Sequence, residues 1–97
     1  EPISSAEVVH QIRKGFSPTS ILEATATQPD ARELAALAFR TSFRNSMEAV
    51  QGHEPTRNMN ATKDLALARA LIAFNIEDGA DLPALTRQLK EWQAQRT

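Results

Sequence analysis

Residues 33–39 read Glu-Leu-Ala-Ala-Leu-Ala-Phe. No other stretch of the chain limits the fold as tightly. At 100° per residue, Leu34, Leu37, Ala38 and Thr41 share one side of a helix. Ala36, Phe39, Phe43, Met47 and Val50 share the opposite side. A helix that is apolar nearly all round has to be covered on several sides. Either it runs through the centre of a bundle, or one face meets another chain. Core packing is the commoner outcome for any one helical stripe.

The signals around this run are also helical. Ser4 and Glu7 form a capping-box pair, with Ile3 and Val8 placed as its hydrophobic staple. Val8, Val9 and Ile12 continue at helical spacing, and Gly15 suits the residue after a helix end. This predicts a first helix over 5–14. Ser17 and Pro18 open a short second helix to about Ala26, and Pro29 opens the long third helix to Gln51. The polar loop Gln51–Asn60 holds Gly52 and Pro55. Asn58 or Asn60 can cap a fourth helix over 61–78. In that helix, Leu65, Ala68, Ile72 and Ile76 line one side, and Leu67, Leu71 and Phe74 line another. Arg69 falls beside Ile72 and Ile76, where a side chain snorkelling at the core rim is the usual explanation. A last helix over 82–95 carries Leu82, Leu85, Leu89 and Trp92 in a narrow seam.

No segment shows the alternation or β-branched runs of a strand. The fold class read from the sequence is therefore all-α: a compact bundle of four to five helices with short connections, in one domain over residues 1–97. Glu1 in place of an initiating methionine points to a processed or excised chain.

The two joints resemble each other. Gly15, Ser17, Ile12 and Ile21 align with Gly79, Asp81, Ile76 and Leu85. A duplicated hairpin would explain this, but so would one stop-and-restart chemistry used twice, the commoner cause. At the first joint Arg13 and Lys14 place the favourable charge at a helix C-terminus. At the second, Glu77 and Asp78 place the unfavourable one. The acidic pair could face a basic partner or merely keep the tip soluble.

Composition removes several functions. The chain has no cysteine, and its 11 basic and 12 acidic residues give a formal charge of −1. Thiolate metal sites and disulfides are excluded. His10 and His53 stand without ligand-spaced neighbours. Glu77, Asp78 and Asp81 flank Gly79 in an order that no EF-hand loop uses. No metal and no cofactor are expected. The three glycines are unclustered, so no phosphate cradle or nucleophile elbow is present. No convergent catalytic set is visible, and the expectation is a non-enzyme. No apolar run is long enough to cross a membrane. The compartment stays open, cytoplasmic or secreted without disulfides. Arginine in excess of lysine and abundant alanine point to a GC-rich bacterial source.

Two kinds of partner remain. Arg40, Arg44 and Arg57 could form a phosphate-binding cluster. Near-neutral charge argues against nucleic acid, and Arg44 can pair with Glu48 at i,i+4. The leading expectation is a bacterial effector, adaptor, chaperone or regulatory module. It would bind another protein, or a second copy of itself, through Phe39, Phe43, Met47 and Val50. The alternatives are a nucleic-acid-binding regulator and an accessory helical domain of a larger enzyme.

Overall fold

The structure is a computed structural model and describes residues 2–52, 54 and 56–96, without the side chains of Arg57 and Arg96. Five helices follow one another among the described residues: α1 (Ser5–Arg13), α2 (Pro18–Ala24), α3 (Ala31–Val50), α4 (Arg57–Glu77) and α5 (Leu82–Arg96). No strand occurs among these residues, and the chain is an all-α bundle.

Helix ends follow local chemistry. The Ser4 hydroxyl accepts from the Glu7 N–H at 3.2 Å, and Ile3 packs on the cluster that contains Val8. The staple forms, but the Glu7 carboxylate accepts from Gln11 Nε2 at 2.9 Å. Ser17 accepts from the Thr19 N–H, with Pro18 in the first turn of α2. Three expected boundaries shift. Helix α2 stops at Ala24, because the Thr25 hydroxyl bonds back to the Ile21 carbonyl at 2.8 Å and closes the last turn. Helix α3 starts at Ala31 rather than Pro29, because Gln28–Asp30 form a turn in which the Ala31 N–H reaches the Gln28 carbonyl. Helix α4 starts four residues before the expected Ala61. Thr56, in extended conformation, is its N-cap and accepts from the Met59 N–H at 3.2 Å. Asn58 and Asn60 therefore lie inside the helix.

The two glycine joints share one geometry. Gly15 has φ 106° and Gly79 has φ 104°, a region that only glycine enters without strain. At each, the glycine N–H and the next N–H bond back to the closing turn. The pairs are Gly15 to Ile12 with Phe16 to Gln11, and Gly79 to Ile76 with Ala80 to Asn75. Both are Schellman motifs. The Asp81 carbonyl then accepts from the Leu85 N–H at 3.0 Å, which places Asp81 at the N-cap position of α5.

Helix α3 is the central element. It packs against α1, α2 and most extensively α4. One side joins Leu34 and Ala38 to Val8, Ile12 and Ile21. The other joins Ala35, Ala36 and Phe39 to Leu22, Ala73, Ile76 and Leu89. The all-round apolar run is thus covered on two sides within this one chain. The Gln28 side chain also ties the N-terminus down, exchanging hydrogen bonds of 2.9 and 3.0 Å with the Ile3 backbone.

Element lengths shape the molecule. At 1.5 Å per residue, α3 and α4 are each about 30 Å long, whereas α1 and α2 are about 10–14 Å. The short helices cover only the N-terminal part of α3. Its C-terminal part and the start of α4 form a two-helix arm, and the molecule extends 42 Å along its longest axis.

Candidate functional site

The stripe expected to bind a partner does not stay together. Phe39 is 2% exposed and sits in the core between Leu22 and Ile76, and Val50 is 8% exposed. Neither can reach a partner without unpacking the bundle. This corrects the four-residue face. Phe39 falls where α2 and α5 already cover α3. Phe43 is half-buried, and Met47 is exposed on the arm.

Three of the six large exposed apolar side chains among the described residues, and the three most exposed of them, come from α4. Leu67, Leu71 and Phe74 are 59%, 56% and 63% exposed and recur at i, i+4 and i+7. Phe43 joins them across the helix pair. It lines a hollow of about 440 Å³ with Leu67, Ala70, Ala73 and Phe74, rimmed by Arg40, Arg44 and Glu77. A second hollow of about 540 Å³ continues along the arm from Phe43 to Met47 and Lys63. The hollows join Met47, Phe43, Leu67 and Phe74 in one apolar face with charges of both signs at its edge, and Leu71 extends it along the exposed stripe of α4 without lining either hollow. Sequence reading missed the α4 residues as surface. The signal was present, because α4 is apolar on two sides. Helix α4 meets α3 through Ala66, Ala73 and Ile76, which are buried, and of these only Ile76 lies on a side that the sequence pattern marked.

Of the three arginines expected to form a cluster, Arg40 and Arg44 have side chains among the described residues. Arg40 pairs with Glu77 across α3 and α4. Its guanidinium has a carboxylate partner within the chain and stays partly exposed. Arg44 is exposed on the rim of the apolar face. The Arg57 side chain, like His53, lies outside the described residues.

The acidic corner has an internal explanation. Glu77 is met by Arg40, and Arg32 Nη1 donates to the carbonyls of Ile76 at 2.9 Å and Ala80 at 2.8 Å. Two cations from α3 thus serve the C-terminal end of α4, where partial negative charge gathers. Arg32 was not singled out from sequence, because its partners lie 44 and 48 residues away. Asp78 is exposed at the C-cap.

Arg69 is half-buried on α4 and donates to the Ser46 hydroxyl at 2.9 Å. Loss of hydration pushes its guanidinium below the ordinary arginine range. The buried polar side chains among the described residues are Thr19, Thr25, Thr41 and Ser42, none of them ionisable in the ordinary range. His10 is exposed on α1. No three His, Cys, Asp or Glu among the described residues are grouped to hold a metal ion, and no helix there is long and apolar enough to cross a membrane. Set beside protein-family models, curated proteins and solved structures, the chain matches none of them, which leaves this geometry as what bears on function.

Proposed function

We propose that the chain is a non-enzymatic protein-binding domain whose docking surface is the Met47–Phe43–Leu67–Leu71–Phe74 face. The observation that carries this reading is three large apolar side chains on one helix, each more than half exposed. Nothing in the packing of α4 requires them, since α3 is met through Ala66, Ala73 and Ile76. Covering what remains exposed of Leu67, Leu71 and Phe74 amounts to roughly 3–5 kcal/mol of gross apolar transfer. Aromatic residues, methionine and a charged rim are the composition of an interface core with its surround. An amphipathic helix suits the shape, laid along the shallow trough between α3 and α4. It comes from another protein or from a second copy of this chain.

Sedimentation velocity over a concentration series separates these two sources. Association of the wild type that Leu71→Asp abolishes identifies a second copy. If the wild type is monomeric throughout, helical peptides selected on it identify the chemistry of a foreign partner. Those peptides should lose at least about tenfold in affinity for Leu71→Asp and Phe74→Asp. Selected peptides that bind both variants as tightly as the wild type would sink the reading.

A further inference from the structure

A second concave surface lies between α4 and α5, on a different side of α4 from the docking face. Helix α5 runs beside α2 and sends Leu82, Leu85 and Leu89 onto the core cluster that holds Ala73 and Ile76 of α4. The Lys90–Glu23 pair and a 3.4 Å hydrogen bond from Gln93 to Thr19 support the contact with α2. A groove of about 530 Å³ is left between α4 and α5, within the usual range for a small-molecule site. Leu65, Ile72, Leu85 and Trp92 give it apolar walls.

Its charge is one-sided. Among the described residues, Arg69 is the one ionised side chain lining the groove, and no carboxylate of theirs lines it. Ser46 takes one N–H of the Arg69 guanidinium, and no carboxylate among the described residues pairs with it. A guanidinium has five donors in a planar fork that matches a carboxylate. A partly desolvated cation beside an apolar cleft gains from a counter-ion that brings its own apolar body. One cation calls for one negative charge, which a carboxylate supplies without the second charge of a phosphate.

We propose that the α4–α5 groove binds a small apolar molecule bearing a single carboxylate, its body between Ile72, Leu85 and Trp92 and its carboxylate on Arg69. This site is independent of the α3–α4 docking face.

Trp92 is the single tryptophan of the chain and lines the groove, so its emission reports occupancy directly. Decanoate, decanol and decyltrimethylammonium are titrated separately into the wild type, Arg69→Gln and Leu71→Asp, with helix content checked by circular dichroism. In the wild type, decanoate should give a saturable change and bind at least about tenfold tighter than decanol, with the cation weakest. Arg69→Gln should remove the preference for decanoate while leaving decanol affinity in place. Leu71→Asp should bind decanoate as the wild type does. Equal affinity for decanoate and decanol in the wild type would overturn the proposal without recourse to any variant. So would a Trp92 signal that never saturates, or a decanoate preference that survives Arg69→Gln or is lost in Leu71→Asp. Tight binding of a Leu-, Ala- and Glu-containing helical peptide by the groove, with no preference for decanoate, would replace the small acid with a protein occupant.

Discussion

Phe39 and Phe43 are four residues apart on one helical stripe, yet they play different parts. Phe39 fills the core, so Phe39→Ala should cost about 3–5 kcal/mol in a urea or thermal unfolding measurement. Leu71→Ala, at a side chain more than half exposed, should stay within about 0.5–1 kcal/mol of the wild type. Equal losses at the two positions would mean that the α4 face is packed in solution. The arginines divide in the same way. Arg40–Glu77 is a pair with both side chains about 40% exposed, so Arg40→Ala should cost less than about 1 kcal/mol. Arg32 holds two backbone carbonyls at a helix end, and Arg32→Ala should cost more, about 1–2 kcal/mol. Arg69 pays a hydration penalty and has a hydroxyl as its partner. Arg69→Met should leave the fold at least as stable as the wild type, which agrees with a role in binding.

Local signals at helix ends are strong where a side chain can reach its own backbone within three or four residues. Ser4, Ser17, Gly15 and Gly79 were legible for that reason. The start of α4 was misplaced because Thr56, Asn58 and Asn60 are all acceptable caps, and the sequence offers each of them a following N–H. The structure selects Thr56. Thr56→Ala should therefore lower stability by about 1 kcal/mol, while Asn58→Ala and Asn60→Ala should be neutral or slightly stabilising. The opposite order in a denaturant series would return the boundary to Ala61. Gly79→Ala should cost about 1–2 kcal/mol, because its positive φ is reached with open space around the missing Cβ. The penalty there is backbone strain with no clash.

Over the whole molecule, unequal helix lengths decide what is covered. Four elements surround the N-terminal part of α3, while the far end of the α3–α4 pair has only itself. Amide exchange should therefore be slowest over residues 34–42 and 66–76, and faster over 46–50 and 58–62, where a two-helix arm has few buried contacts. Uniform protection along α3 and α4 would show that something covers the arm, and a dimer would be the first candidate.

The helical class, four of the five helix starts to within two residues, both glycine joints and the central placement of α3 were all written in the order of residues. Each follows from contacts within one or two turns, or from a run too apolar to leave in water. Which apolar side of α4 faces α3, which cation meets Glu77, and whether Phe43 ends in the core or on the surface were not legible. Periodicity sets which side chains share a face, but not which face finds a neighbour. That choice depends on the lengths and crossings of elements distant in sequence. Here α4 meets α3 through Ala66, Ala73 and Ile76, and among the described residues no other helix covers the side that carries Leu67, Leu71 and Phe74, which leaves them in water.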